Sequence, residues 1–548
     1  MRRNVVCSRK GGMTVKPMKL KIVAFCLAIA MLLCGCSDLL EFLSDRLGGK
    51  LTHFDKMEYS RPDVDEIQSA IEDCCAFAAN AEKVSALEDK ISQCFWLCND
   101  FYTKYNLASI HYYGDTTDIY WEQENDYCME RTPLVDAAVE KLYYALADCP
   151  LREELEKSPM FGEGFFDEYL EGEAPSDVYV SLQEREAELL NEYYDLNTAS
   201  QSAPYYSNEF FEVYGKQMGD VFVEMVKVRQ EMATEAGYDS YLEYAYDYVH
   251  GRDYTPQQAR AYLEEISREL VPLYEELENS TGFPSAGLCS QMQMYSYVKD
   301  CASAMGGTVQ KAFETMAEYG LYDITYKENK YDISFEVYLP NYNCPYLFVN
   351  PGGTQWDMLT FAHEFGHFCN DYASQGSGVG VDVAEVFSQS MEYLSLSYSE
   401  NGKSLEKLKM ADSLRLFVEQ SAYALFELRV YELEGEALTA ENVYALYEQI
   451  GTQFGFTAWG WDSRDFVLID HFFSVPQYII SYVVSNDAAF QVYQLEQEKK
   501  GAGLRLFEES LDTQQVSLLA FAQEAGLKSP FEPGRLQTVR KTLEGCLK

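Results

Sequence analysis

Between residues 60 and 320 the chain repeats one pattern so persistently that helices must dominate its fold. Apolar residues recur at three- and four-residue spacing in VDEIQSAIEDCCAFAANAEKVSALEDKISQCFWLCNDFYTKY (64–105) and in SLQEREAELLNEYYDLN (181–197), with acidic side chains on the outward faces. Gly, Pro and Ser punctuation is sparse, and no fixed-period repeat or long low-complexity linker interrupts the pattern. Thr255 followed by Pro256 reads as a cap with proline at the first helical position, so a helix starts there. From Tyr322 to Val349 the period changes to alternation rich in Tyr, Ile, Phe and Val, the signature of a small set of strands. The expected fold is therefore mainly α with a small β-sheet, and 548 residues suffice for two or more lobes. The 43 tyrosines are read as packing between helices with wet hydroxyls.

Charge and the N-terminus narrow the partners. A formal charge of −45 without a long basic run excludes nucleic acid, because phosphate binding needs a basic face. The acidity reads as a self-repelling soluble surface, with a cleft that favours cationic peptides as the functional alternative. Lys19 and Lys21 precede the apolar run Ile22–Leu33, which is short for a bilayer span and is built like the core of a secretory signal. The run ends in Leu33-Cys34-Gly35-Cys36, which resembles the lipobox of bacterial lipoproteins. That resemblance implies cleavage before Cys36, a lipid on its sulfur and an extracytoplasmic, membrane-anchored protein. Cys34 departs from the small residue usual there, and plain secretion is the alternative. Eleven of the fifteen cysteines remain once the signal and Cys36 are set aside. An odd number cannot all pair, and neither Cys74–Cys75 nor Cys94–Cys98 has CxxC spacing, so they are read as small buried hydrophobes.

The chemistry concentrates in DMLTFAHEFGHFCND, residues 357–371, read as a helix opening at Asp357. Side chains four apart lie nearly above one another, so His363 and His367 can point two imidazole nitrogens at one cation. Glu364 lies about 100° around from His363, where it can reach a metal-bound water instead of the metal. Phe361, Phe365 and Phe368 form the opposite stripe, fit to pack against a core. Gly366 inside the helix costs about 1 kcal/mol relative to alanine, which points to a close approach of another group, a substrate being one candidate. The preceding strand, Tyr346–Asn350, is expected beside the cleft. As an edge strand it could pair with an extended peptide through Tyr346, Phe348 and Asn350, and ordinary pairing within the sheet is the alternative. A catalytic zinc usually takes three protein ligands. Glu385 follows His367 by eighteen residues, room for a turn and a returning helix, and so can complete a His-His-Glu set. Ser388 and Glu392 fall one and two turns further on the same face and could orient the ligands.

Several stretches resemble the oligoendopeptidase F group of zinc peptidases. RQEMATEAGYDSYLEYAYDYVHGRDYTPQQARAYLEEISRELVP (229–272) has that group's Gly-Tyr segment followed by Arg-Asp-Tyr-Thr, and DMLTFAHEFGH followed by VAEVFSQSMEYL (383–394) is similar to its metal-binding pattern. The resemblance covers about residues 180–530 and implies a bilobal helical peptidase with a deep central channel for oligopeptides. It also implies one zinc per chain held by His363, His367 and Glu385, with Glu364 as general base. In DFVLIDHFFSVPQYIISYV (465–483) it implies that His471 and one or both of Tyr478 and Tyr482 donate to the oxyanion. Pro476-Gln477 stands where that group more often has aromatic residues, so which tyrosine reaches the substrate stays open. His53, His111 and His250 fit no such pattern and are read as surface or structural. The expected organisation is a signal peptide at 1–35, a tether at 36–60, an N-terminal helical region at 61–200 and a catalytic region at 201–548, acting as a monomer. Two other functions remain open: a non-catalytic peptide-capture lipoprotein with the same channel, and a dipeptidyl or carboxypeptidase of a related helical fold.

Overall fold

The structure is a computed structural model that describes residues 49–171, 176–200, 207–280, 282–376, 378–456, 461–513 and 515–547. The signal segment and Cys36 lie outside the described residues. No helix among the described residues is long and apolar enough to cross a membrane.

Three helices, α1 (Val64–Ala78), α2 (Val84–Gly114) and α3 (Ile119–Ala147), pack against one another. Asp63 caps α1 by accepting from the Glu66 amide, and Asp118 caps α3 by accepting from the amides of Tyr120 and Trp121. Their apolar stripes, among them Ile67, Ile71, Leu87, Ile91, Phe101, Val135 and Leu142, close one core. The last turns of α2, with Leu107, Ile110 and Tyr113, belong to a second and larger core that takes in the rest of the chain. At 1.5 Å per residue α2 is about 45 Å long, enough to tie the two cores together. The eleven described cysteines are all free thiols, and most are buried, as the sequence led us to expect.

The sheet has three strands in the order β1 (Tyr322–Asp323), β3 (Cys344–Val349), β2 (Ser334–Leu339). β1 runs parallel to β3 and β2 antiparallel to it, with Phe335 opposite Phe348. This corrects the sequence reading of 346–350. β3 is the central strand, buried along its whole length, paired with β2 from Cys344 to Val349 and with β1 at Leu347 and Phe348, so it is not an edge strand open to a peptide. Tyr346 packs on Phe54 and Phe348 stacks on Phe335. The Asn350 side chain donates to the carbonyls of Lys327 and Lys330. Lys330, fully buried, reaches the carbonyls of Asp323, Thr325 and Val349 and lies over the Phe348 ring, pinning the sheet's end.

Behind the sheet lie α4 (Trp356–Ser374), α5 (Val381–Tyr398), α6 (Gly402–Val430) and α7 (Ile479–Glu498). α4 begins one residue before Asp357, whose carboxylate turns back to accept from the amides of Gly352, Gly353 and Thr354 and so fixes the loop entering the helix. Phe361, Phe365 and Phe368 are buried as expected, with Phe313 edge-on to Phe365. Gly366 is the point of closest approach to α5. A Cβ there would sit 2.6 Å from both the Phe387 carbonyl oxygen and the Ser388 Cα. A neighbouring helix occupies the space, which corrects the reading of Gly366 as a substrate contact. The consequence is that α4 and α5 cross backbone to backbone, with Glu385 brought up to the two histidines.

Candidate active site

The α4–α5 crossing assembles the site. His363 and His367 lie one turn apart with ring centroids 5.1 Å from each other and planes 79° apart. One ligand atom from each of His363, His367 and Glu385 lies within 4.8 Å of the others, a grouping of three that stands out among the described residues. His363 Nε2 is 3.4 Å from Glu385 Oε2. Ligands about 2.1 Å from a tetrahedral zinc stand about 3.4 Å apart, so the spacing and the nitrogen and oxygen donors fit such an ion. The charges fit it too. Glu364, Glu385 and Glu392 are all buried around His363, with Lys409 as their one lysine partner. So many buried carboxylates beside two imidazoles suit a divalent cation.

These environments show in the titration of the groups. Burial pushes Glu364 up to about 7, opposed by His363 and reinforced by Glu385 and Glu392. Burial likewise raises Glu385, against the pull of His363, Tyr478 and Ser388. For His363, burial acts downward but is outweighed by the hydrogen bond to Glu392 and the charges of Glu385 and Glu364, which bring it to about 9. His367 is held well below its usual value by burial and by His363.

The surrounding bonds fix ligand orientation. His363 Nδ1 lies 2.9 Å from Glu392 Oε1; Lys409 Nζ donates to Glu392 Oε2 at 2.7 Å. Burial works against ionisation of Glu392, but Lys409 and His363 together hold it below the ordinary carboxylate range. An ionised Glu392 only accepts, so Nδ1 carries a proton and donates to it, leaving Nε2 as the nitrogen that would give up its own proton to take an ion. Ser388 Oγ donates to Glu385 Oε2 at 3.0 Å, and the Tyr478 hydroxyl donates to Glu385 Oε1 at 2.9 Å. Both helical positions read beyond Glu385 thus touch a ligand. Lys409 was missed. Its one signal is a lysine on the apolar face marked by Leu405, Leu408 and Met410, while Lys403 and Lys407 face outward.

His471 comes from the short helix Asp470–Ser474, Tyr478 from the N-cap of α7 and Tyr482 from its first turn. Both tyrosine rings are centred 6.0 Å from the His471 ring and 5.2 Å from each other. His471 Nε2 is 3.4 Å from the Tyr482 hydroxyl. Burial brings His471 down to about 4, so the ring is neutral near pH 7. Burial and then Glu385 hold both tyrosines well above 10, so both keep their protons. The structure therefore brings together every residue read as a metal ligand, base or oxyanion donor. Among the other histidines, His111 stacks on Trp121, His53 pairs with Asp55 at the surface, and His250 faces the Pro476 carbonyl.

Comparison with known proteins agrees with this geometry. The family model described as Peptidase M3 N-terminal domain matches residues 54–169, the helices of the first core, and that of Peptidase family M3 matches residues 307–512, which hold every site residue named above. The two together span more than half of the chain. The chain belongs to peptidase family M3. Within this M3 peptidase the mainly helical fold with its small sheet matches solved structures of oligoendopeptidase F. One such structure has a TM-score of 0.78 at 21% identity, covering 90% of this chain and 98% of that one. An oligoendopeptidase F from Bacillus anthracis str. Ames has a TM-score of 0.76 at 22% identity, covering 91% and 98%. PZ peptidase A, solved with an inhibitor, has a TM-score of 0.77 at 21% identity, covering 90% and 99%. No curated protein matches the sequence at a significant level.

Proposed function

We propose that this M3 peptidase is a zinc-dependent endopeptidase that hydrolyses internal bonds of oligopeptides. The observation that carries the reading is the convergence of His363, His367 and Glu385 with the buried Glu364 carboxyl beside them. His363, His367 and Glu385 would hold the zinc, which when bound would supply Lewis acidity and a water nucleophilic near neutral pH. Glu364, buried beside the ligands, would accept a proton from the attacking water and return it to the departing amine. Tyr478 is committed to Glu385, whereas the hydroxyl of Tyr482 makes no bond to a metal ligand among the described residues and lies between the neutral His471, 3.4 Å away, and Tyr478. Tyr482 and His471 are accordingly the donors to the developing oxyanion, each worth about a hundredfold to a thousandfold in rate. Ser388, Glu392 and Tyr478 hold the ligands in place.

In the same reading the N-terminal run is a lipoprotein signal, Cys36 carries the anchor, and the enzyme works outside the cytoplasm on oligopeptides as a monomer. The test compares wild type with Glu364→Gln on quenched peptides whose ends are blocked or free, with products identified by mass spectrometry. Internal cuts in blocked peptides are expected. They should vanish in the variant while zinc content stays near one per chain. Trimming confined to free ends would overturn the endopeptidase reading, and full activity of the variant would remove Glu364 as the base.

A further inference from the structure

The Arg-Asp-Tyr-Thr segment touches none of the metal-facing residues directly, yet it grips the turn that delivers Tyr478. Gln477 has φ 65°, a left-handed conformation rarely adopted by residues with a side chain, and it is buried. The turn is held from three sides. The Gln477 amide donates to Glu427 Oε1 at 2.7 Å, its carbonyl accepts from Arg252 Nη2 at 2.7 Å, and the Pro476 carbonyl lies 3.0 Å from His250 Nε2. His250 is kept neutral by burial and by the neighbouring Arg252, so its Nε2–H donates to that carbonyl. Arg252 also donates to Ser481 Oγ at 2.9 Å on α7, and its Nε is 3.6 Å from Asp382 Oδ1 on α5. Asp382 is one turn before Glu385, and Ser481 is one turn after Tyr478. One buried guanidinium thus spans both partners of the Tyr478–Glu385 hydrogen bond.

We infer that Arg252 is a positioning residue for the peptidase reaction: by clamping the left-handed turn at Gln477 it sets Tyr478 against Glu385 and, one turn on, Tyr482 beside His471. The inference rests on the reading of His363, His367 and Glu385 as the metal site. With the clamp removed, Gln477 relaxes to negative φ and rotates the start of α7, so both hydroxyls leave their partners.

The test is a double-mutant cycle of Arg252→Gln and Tyr478→Phe in the full chain, following kcat and KM on a quenched peptide together with hydrogen exchange of segment 475–482. Arg252→Gln should lower kcat about tenfold with KM nearly unchanged, and should add less than about twofold when Tyr478 is already Phe. Exchange in 475–482 should accelerate in Arg252→Gln. Equal losses in both backgrounds would make Arg252 mere cement and overturn the inference. A fully active Tyr478→Phe would overturn it as well, while leaving the metal reading intact. A wild type that cuts no peptide with zinc bound would instead refute that underlying reading. If Arg252→Gln does not fold, Ser481→Ala, which deletes one hydroxyl, carries the same cycle with an expected loss of about threefold.

Discussion

Replacing Gly366 by alanine tests whether the helix crossing sets the metal geometry. The added Cβ would meet the Phe387 carbonyl oxygen and Ser388 Cα at 2.6 Å and the Met391 Cβ at 3.0 Å. Nonbonded heavy atoms settle at about 3.5–4.0 Å, so α5 must retreat by about 1 Å. Two effects oppose each other. Alanine gains about 1 kcal/mol of helix propensity over glycine. Overpacking costs about 1–3 kcal/mol, and the upper end applies because two of the atoms met are backbone and no rotamer change relieves them. The net expectation is a loss of about 2 kcal/mol. Glu385 sits less than one turn from Ser388 and moves with α5, widening its 3.4 Å separation from His363 Nε2. Zinc affinity should fall about 10- to 100-fold, the range seen when ligand orientation is disturbed. Gly545 supplies the control. It lies in the helix Arg535–Leu547 with nothing within 4 Å of an added Cβ, so Gly545→Ala should stabilise the protein by about 1 kcal/mol and leave zinc affinity alone. Thermal unfolding and zinc titration against a competing chelator read both variants. If Gly366→Ala kept wild-type affinity and a Tm at or above wild type, the idea that α4 and α5 cross this closely only because residue 366 lacks a side chain would fail.

Lys409→Met should loosen zinc by about 10- to 100-fold in the same chelator competition, because Glu392 loses the charge that keeps it an acceptor for His363; unchanged affinity would free His363 from dependence on Lys409. Asp136, which accepts from Tyr102, is pushed by burial from 3.8 up to about 7. A raised carboxyl stabilises the fold while protonated, so its contribution is complete below the ordinary value and is lost as pH rises through about 7. Asp136→Asn should therefore flatten the fall of Tm with rising pH in that window, and parallel Tm curves for the two proteins would discount the group. Cys36→Ser should abolish incorporation of labelled fatty acid by expressing cells, and persistent labelling would place the anchor elsewhere.

The parts of the site legible in the sequence are those whose spacing lies within one element. Helical pitch alone aligned His363 with His367, set Glu364 aside from them, and placed Ser388 and Glu392 on the face of Glu385. The strands were legible as strands, since 322–350 alternates, but their order was not. Alternation says which face a residue takes and nothing about which neighbour pairs with it, so edge and interior stayed open for β3, which is the centre. Gly366 was legible as a site of close approach, and only the packed structure shows that the approaching group is the backbone of α5.

What escaped the sequence has one physical origin: the bonds that orient the ligands join residues far apart in the chain. Lys409 reaches Glu392 across seventeen residues and a change of helix, and Arg252 reaches Gln477 across 225. Neither leaves a local pattern, because a buried cation is recognisable only by the carboxylate or carbonyl that justifies it. The Arg-Asp-Tyr-Thr segment illustrates the limit. It was visible as a resemblance, yet its work is distributed: Arg252 clamps Gln477, Asp253 caps the helix Leu518–Glu524 by accepting from the Leu519 and Ala520 amides, and Thr255 caps Pro256–Glu269. Three of its four residues fasten the turn before α7, the helix Leu518–Glu524 and the helix that follows directly in the chain. A motif can thus mark a peptidase without any of its side chains facing the metal, because the reaction depends as much on what holds Tyr478 and Glu385 still as on the groups that face the ion.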